Sequence, residues 1–373
     1  MGTDAWRNWR AFDEGRPESE NADDELYSDR HFVGGPSSHG PYTLTTIIGR
    51  GLPSTMPAVR PAVRLHTSFR ANLMPEIVID GALAPPDSTA YHGGTDSDEV
   101  AALASLELGV RLRVAGTSQL SGIHRDGEEN SPTYFEVVPL AHPGQPGREY
   151  VPAAANRPAD LRQLSRLGSF SRLEETSQVE LVRAARMYAT GLWWSNEDQN
   201  QAWLQLVTAV EVAANHRQHV HAAPESLVQA LWPELWSTLE NAGDATRAQV
   251  ARLLAPQIRA TKKFVDFLVA CAPEPPTLRP PHATLEWGDM AQHARLIYAH
   301  RSTALHTGKP FPLPMLQRPR PEENGAIQEV PWGLNSGGHG GVWDAKEAPM
   351  LLSTFEHIAR GSLLNWWDEL RDA

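Results

Sequence analysis

Apolar residues recur at helical spacing throughout the second half of the chain, and this periodicity limits the possible folds more than any other feature. Polar loops interrupt the pattern, so no segment offers the roughly 18 to 20 consecutive apolar residues that a membrane span requires. The predicted helices lie at 176–194, 199–215, 224–240, 246–271, 287–306 and 349–370. Helices joined by short polar loops are typical of an α-helical bundle. We therefore predict a bundle over residues 158–373, with a long Gly/Pro-rich loop at 307–344.

The segment before the bundle is rich in β-branched and aromatic residues separated by Gly and Pro. The predicted strands lie at 42–48, 62–66, 76–79, 110–114 and 134–138. A helix is predicted at 98–108, where Asp96 and Glu99 have the spacing of a capping box and Gly109 suits the helix end. The sequence thus predicts an α+β fold, with a small α+β domain of unknown role at 40–157 and an all-α C-terminal domain.

The first 39 residues are polar and acidic, and we predict a flexible tail there. Nine acidic residues and four arginines in the first 30 positions supply −5 of the formal net charge of −12. Because the negative charge is concentrated in this segment, the overall balance does not exclude a phosphate-binding surface elsewhere. Residues 245–265 hold five basic residues and no acid, a run that we interpret as a solvated helix face.

The location of the protein is predicted from its cysteine content and its N-terminus. Cys271 is the single cysteine, so no internal disulfide can form, as expected in a reducing compartment. The first residues lack the basic and apolar regions of a secretory signal. We expect a cytoplasmic protein that does not insert into a membrane.

Three other groups of residues have features of binding sites. His216, His219 and His221 have a spacing that could hold a metal, but a solvated loop is favoured because no carboxylate or cysteine accompanies them. The glycine-rich segment 337–341 lacks the Lys-Ser/Thr of a phosphate loop and is interpreted as a flexible loop. The pair 193–194, Trp-Trp, could stack a base if exposed, although a core position is favoured. No cofactor or metal is therefore expected.

The most chemically distinctive residues are Arg301 and His306, at the end of a predicted helix that Gly308 and Pro310 terminate. On an ideal helix the two side chains are roughly 140° apart, so they converge only if the last turn frays. The helix dipole at that position favours imidazolium by about 0.3 to 1 kcal/mol. A histidine that is partly protonated near neutrality suits a general acid.

Residues 301–306, Arg-Ser-Thr-Ala-Leu-His, resemble the Arg-x4-6-His signature of the HEPN superfamily. Tyr298 followed by Arg-Ser-x-x-x-His-x-Gly is similar to the Apea-like HEPN subgroup. The segment 202–211, which places Glu211 within an apolar helix, is similar to the same subgroup, and 103–113 looks like the N-terminal portion that often accompanies it. The resemblance covers roughly residues 90–310.

This resemblance implies a helical bundle that cleaves RNA without a metal, in bacterial defence or as a toxin. In such enzymes the RNA 2′-hydroxyl attacks the adjacent phosphate and leaves a cyclic phosphate and a 5′-hydroxyl. By the same resemblance, His306 moves a proton, Arg301 holds the phosphate, and Glu211, Tyr298 and Ser302 are supporting residues. Many active members carry Asn, Asp or His where this chain has Ser302. Because the chain has one Arg-His motif, the resemblance implies a homodimer.

Two questions stay open on sequence grounds. Glu211 lies on an inward helix face, where it either orients Arg301 or forms a structural ion pair with Arg183 or Arg186. The alternative to a nuclease is a non-catalytic HEPN module that binds RNA, a nucleotide or a protein partner, the last through the N-terminal domain. Ser302 and the acidic overall balance motivate that alternative.

Overall fold

The computed structural model describes residues 2–47, 59–73, 78–79, 82–83, 94–120, 149–154, 158–217, 223–322, 324–332, 335–338 and 341–372. The helices are α1 (Asp4–Asp13), α2 (Asp96–Leu108), α3 (Glu175–Trp194), α4 (Gln199–Arg217), α5 (Pro224–Leu231), α6 (Pro233–Thr238), α7 (Asp244–Cys271), α8 (Met290–Thr307) and α9 (Leu352–Asp372). The strands are β1 (Glu20–Ser28), β2 (Phe32–Val33), β3 (Ser37–His39), β4 (Tyr42–Thr46), β5 (Arg60–Phe69), β6 (Val78–Ile79), β7 (Ala82–Leu83), β8 (Arg113–Leu120), β9 (Ala159–Asp160), β10 (Asn335–Gly338) and β11 (Gly341–Asp344). The α+β prediction is confirmed, since an N-terminal antiparallel sheet precedes a mostly helical C-terminal part. None of the helices within these ranges is long and apolar enough to cross a bilayer.

An antiparallel five-stranded sheet with the order β3-β4-β5-β1-β8 organises the N-terminal part. Its central region includes β1, whose alternate residues Ala22, Asp24, Leu26 and Ser28 are buried. Ser97 at the start of α2 donates a hydrogen bond of 2.5 Å to the buried Asp24 carboxylate. The prediction of a flexible tail at 1–39 is therefore wrong, because this segment supplies a helix and a strand hydrogen-bonded on both sides.

Helix α2 is buried along most of its length, and most of its polar residues are buried with it. Its capping box joins Thr95 and Asp98, and not the predicted Asp96 and Glu99, while Gly109 ends the helix in the left-handed conformation as predicted. The Glu99 carboxylate accepts a 2.8 Å hydrogen bond from the backbone N–H of Ala5 in the first turn of α1. Burial raises the pKa of Glu99 to about 8 and that of Asp96 to about 7.

A buried arginine joins three segments of the N-terminal part. The guanidinium of Arg111 donates to the carboxylate of Asp29, to the carbonyl oxygen of Leu192 and to Oγ of Ser195, at 2.6, 2.7 and 2.6 Å. Its side chain is fully buried, so these contacts compensate for the lost hydration of the charge. The residue after β1 and the C-terminal end of α3 are thereby held to the segment just before β8.

The contacts divide the chain into two compact units, residues 1–202 with 367–373 and residues 203–366. The predicted domain boundary at residue 157 falls inside the first unit. The second unit contains the segment that resembles the HEPN Arg-His motif, carried by α8, together with the glutamate of α4. Both residues that form the candidate site are thus in one unit.

Stacked aromatic rings form the core of the second unit around Trp203. The indole lies between Phe311 and Phe355, with ring centroids 5.2 and 4.8 Å away, and its Nε1–H donates to the carbonyl oxygen of Met315 at 3.3 Å. The segment 307–344, predicted as a long loop, is therefore packed into the core at Phe311 and Met315. It also contains a short 3-10 helix and the hairpin β10–β11, so the flexible-loop interpretation of its glycines is wrong where they are described.

Glu329 forms hydrogen bonds that connect this irregular segment to the residues preceding α8 and to the start of α9. Arg279 donates two hydrogen bonds to its carboxylate, at 3.0 and 2.7 Å, and the backbone N–H of Leu285 donates a third at 2.7 Å. The carbonyl oxygen of Glu329 accepts from the N–H of Leu351 and from Oγ1 of Thr354 at the start of α9. A single buried residue thus connects the segments that lead into α8 and α9.

Candidate functional site

Helix α8 carries the Arg-His motif and ends where the sequence predicts. Gly308 adopts the left-handed conformation, with φ of 69°, and its N–H bonds to the carbonyl oxygen of Ala304. A residue with a Cβ is disfavoured in that conformation, so glycine is suited to stop the helix. His306 is consequently fixed in the last turn of α8.

Arg301 is held by a glutamate on another helix of the same unit. Its Nη2 donates a short, charge-assisted hydrogen bond to Oε2 of Glu211 on α4. The two side chains are 19% and 18% exposed, so the pair is largely removed from water without being closed to it. Arg183, an alternative partner predicted for Glu211, pairs with Glu180 on its own helix.

Tyr298 completes this arrangement from one turn before Arg301. Its hydroxyl donates to Oε1 of Glu211 at 2.9 Å, and the guanidinium carbon of Arg301 lies 5.6 Å from the ring centroid. The ring of Phe264 on α7 packs against the ring of Tyr298, with ring centroids 5.1 Å apart. Burial and the Glu211 charge raise the pKa of Tyr298 well above its usual value, so the phenol stays a donor.

The network leaves hydrogen-bonding capacity on Arg301. A guanidinium has five N–H donors, and one of them bonds to Glu211. Among the residues that the structure describes, the buried Nε atom of Arg301 has no hydrogen-bond partner. Buried donors are usually satisfied, and a ligand oxygen is one means of satisfying such a group.

His306 lies outside this network. Its side chain is exposed, and in the described part of the chain it forms no hydrogen bond or ion pair. The helix continues through Thr307, so fraying of the last turn does not bring the imidazole to Arg301. Ser302, which is half-buried, is four residues before His306 and therefore shares its helix face.

His300 is a further residue of this helix, and sequence reasoning missed it. Its Nε2 donates to the carbonyl oxygen of Glu347 at 2.7 Å, and its ring lies against Phe311. Burial lowers the pKa of His300, so the neutral imidazole is favoured there. The sequence places His300 directly before Arg301, which could have drawn attention to it. Its contact with Glu347, 47 positions away, cannot be inferred from the sequence.

The described residues contain no cluster of histidine, cysteine and carboxylate side chains suited to a metal ion. Of the histidines whose spacing could suit a metal, His216 packs its ring against Trp366, with ring centroids 5.7 Å apart. His219 and His221 lie outside the described residues. No metal ligands can therefore be assigned from these contacts.

The arrangement combines a guanidinium positioned by two side chains with a solvent-accessible imidazole at the end of the same helix. The first is suited to bind an anion, and the second is suited to exchange a proton with water or substrate. No protein-family description, curated protein or solved structure matches this chain. The relationship to the HEPN superfamily therefore stays a prediction.

Proposed function

We propose that this chain is a metal-independent endoribonuclease of the HEPN type that acts as a homodimer in bacterial defence or toxin-like RNA cleavage. The observation that supports it best is the pairing of Arg301 with Glu211, on the helix that ends at an exposed His306. The sequence resemblance assigns catalytic roles to the same arginine and histidine. The glutamate that this resemblance marks as a supporting residue is the one that contacts Arg301.

Arg301 binds the scissile phosphate in this proposal. Glu211 and Tyr298 limit the rotamers of its long side chain, which lowers the entropy lost when the phosphate binds. The donors that Glu211 does not occupy contact phosphate oxygens and offset the charge that grows on them during the reaction. Glu211 and Tyr298 are positioning residues, since they act through the arginine.

His306 transfers protons to and from the RNA. The 2′-oxygen loses its proton to a base and forms a bond to phosphorus, while the bond from phosphorus to the 5′-oxygen breaks. The departing 5′-oxygen takes up a proton, so the products are a 2′,3′-cyclic phosphate and a 5′-hydroxyl. The exposed imidazole in the last turn of α8 is accessible to RNA for one of these transfers.

A homodimer supplies what a single chain lacks. Within one chain, His306 and the Arg301 network face different directions of the helix. Two copies that meet along α8 place an arginine and a histidine from each chain in a common cleft, where the histidine of one copy moves a proton while the arginine of the other holds the phosphate. Mixing two inactive variants therefore tests the cleft, because Arg301→Ala and His306→Ala chains complement each other only if the cleft uses residues from both copies.

A second candidate, a non-catalytic module that binds RNA, a nucleotide or a protein partner, is favoured by one specific feature. The Glu211 carboxylate neutralises the Arg301 guanidinium, and an incoming phosphate must compete with it. If phosphate cannot displace Glu211 from Arg301, the ion pair is structural and α8 contributes only a binding surface. The two candidates differ in the effect expected from altering the glutamate.

The nuclease is tested with purified protein and a labelled RNA in the presence of EDTA. Cleavage should persist in EDTA and give cyclic phosphate ends, and it should be lost in both Arg301→Ala and His306→Ala. The control is Arg295→Ala, which removes an exposed arginine from the same helix. Cleavage that survives in either site variant would refute the proposal.

Glu211→Gln distinguishes the candidates because it keeps the shape of the side chain and removes its charge. In the nuclease the turnover number should fall by roughly tenfold or more, as the arginine loses its orientation. In the binding module the released guanidinium should instead bind RNA more tightly, with no cleavage by the wild type. Circular dichroism establishes that the variant is folded.

A further inference from the structure

The first unit contains a cavity of about 460 Å³ that the candidate nuclease site does not use. It lies among α2, β8 and the last turns of α3, and its lining includes Ala102, Leu112, Arg186, Trp193 and Trp194. The volume is within the range of pockets that bind small molecules. All lining residues belong to one compact unit.

Two buried donors of this cavity lack acceptors. In the part of the chain that the structure describes, Nη1 of Arg186 and Nε1 of Trp193 are both buried and neither has a hydrogen-bond partner. The tryptophan is only 6% exposed, so water reaches it poorly. Proteins rarely leave buried N–H groups unpaired, and both groups belong to residues that line the cavity, so a ligand whose oxygens approach them from the cavity would satisfy both.

The backbone of Gly94 allows the arginine to occupy this position. Its φ is 121°, and a Cβ there would lie 2.4 Å from Nη1 of Arg186 and 2.6 Å from Oδ2 of Asp98. That carboxylate oxygen already accepts hydrogen bonds from the backbone N–H and the hydroxyl of Thr95 in the cap of α2. The Asp98 oxygen is therefore occupied by Thr95, and Nη1 of Arg186 has no hydrogen-bond acceptor among the described residues.

Trp194 adds a flat apolar surface to the same cavity. Its side chain is 39% exposed, although it lines the cavity beside the nearly buried Trp193. An exposed indole next to a guanidinium is the combination that binds an aromatic ring carrying an anionic group, by stacking and by charge-assisted hydrogen bonds. The sequence favoured a core position for both tryptophans, and this is wrong for Trp194.

We propose that this cavity binds a mononucleotide. Arg186 contacts the phosphate, Trp194 stacks on the base, and the indole N–H of Trp193 donates to a ligand oxygen. A simple inorganic anion uses only the guanidinium and leaves the aromatic surface uncovered. A nucleoside uses only the tryptophans and leaves the cation unpaired.

Isothermal titration of the full-length protein with AMP, GMP, CMP and UMP tests the proposal, with adenosine and ribose 5-phosphate as the separated halves. At least one nucleotide should bind, and each half should bind at least tenfold more weakly than AMP or be undetectable. Equal affinity for ribose 5-phosphate and the nucleotides would overturn the assignment of an aromatic ligand. The absence of binding by all four nucleotides at millimolar concentration would overturn the site itself.

Variants connect the affinity to the named residues. Arg186→Met should weaken binding by roughly tenfold to a hundredfold, as expected for the loss of a charge-assisted hydrogen bond. Arg183→Met is the matched control, because this exposed arginine of α3 pairs with Glu180 and does not line the cavity. Wild-type affinity in a folded Arg186→Met protein would refute the proposal.

Two further variants cover the case in which Arg186→Met does not fold. Trp193→Phe removes the indole N–H but keeps an aromatic ring, and Trp194→Ala removes the stacking surface. Each should reduce affinity, and unchanged affinity in both would overturn the proposed contacts. Arg301→Ala should retain full nucleotide binding, so failure of the nuclease proposal leaves this test intact.

Discussion

Replacement of Glu99 by glutamine is expected to make the protein more stable at alkaline pH and to leave its stability unchanged at acidic pH. The Glu99 side chain is 2% exposed, and one of its oxygens accepts the N–H of Ala5 at 2.8 Å. Glutamine keeps the shape and an oxygen acceptor but cannot ionise. Because burial raises the pKa of Glu99 to about 8, the carboxyl is mainly protonated in the folded protein at neutral pH.

The magnitude follows from the difference between the folded and unfolded states. The pKa of Glu99 is raised from its ordinary value of 4.5. The folded state therefore retains a proton that the unfolded state releases, and the stabilisation present below about pH 4.5 is lost as the pH rises toward about 8. Each pH unit in that interval costs about 1.4 kcal/mol, so the free energy of unfolding falls by up to about 2.7 kcal/mol between pH 5 and 7. Asp96, with a pKa raised to about 7, contributes a slope of the same sign.

Urea denaturation at pH 5, 6, 7 and 8 measures this effect, and hydrogen exchange of the α1 amides shows whether it acts at that helix. Wild type and Glu99→Gln should differ by less than about 1 kcal/mol at pH 5, and the variant should be more stable at pH 8 by up to about 4 kcal/mol. Parallel curves for the two proteins would refute the reasoning. A variant destabilised at every pH would show that an ionised Glu99 caps α1.

Three other changes test features of the two units. Trp203→Ala should lower the free energy of unfolding by about 3 to 5 kcal/mol, measured by urea denaturation, because it empties the space between two stacked rings. Arg111→Met should cost about 3 to 5 kcal/mol in the same assay, since it leaves the Asp29 carboxylate without its cation, and adding Asp29→Asn should recover part of the loss. Gly308→Ala should cost about 1 to 2 kcal/mol in thermal unfolding because of its positive φ, and an unchanged melting temperature would contradict that.

Local signals predicted two glycine-terminated helix ends correctly, whereas the single helix predicted at 224–240 is divided into α5 and α6. Gly109 and Gly308 both adopt the left-handed conformation at the C-terminal ends of α2 and α8, as their positions in the sequence indicated. Such an end depends on one residue and its immediate neighbours, so it can be inferred without knowledge of the fold. The N-terminal capping box of α2 lies one residue before the predicted one, with Thr95 and Asp98 in place of Asp96 and Glu99.

Strand β1 was not predicted, because its buried residues are not all apolar. Positions 22 to 28 alternate between buried and partly exposed, but Asp24 and Ser28 are among the buried ones. Asp24 is compensated by Ser97, which is 73 residues away in the chain. A pattern of hydrophobicity cannot reveal such compensation, so the segment resembled a disordered acidic tail. The predicted strand at 134–138 lies outside the described residues.

The residues of the candidate site could be predicted from the sequence, but the contacts among them could not. Arg301, Tyr298 and Glu211 were all singled out, and the sequence left open whether the glutamate paired with Arg301 or with an arginine of α3. That choice depends on how helices 90 residues apart pack, which no local pattern records. His306 shows the same limit, because its position on the helix was clear and its separation from the Arg301 network required the structure.

The interactions of Glu329 also limit where insertions and deletions can occur in the segment between α8 and α9. A connection between helices normally tolerates insertions and deletions. Here the segment after α8 returns to bond with residues that precede that helix and then with the first turn of α9. A deletion between Phe311 and Glu329 would shift both attachments at once. Changes in length are expected to be accommodated best at its exposed turn around Gly325.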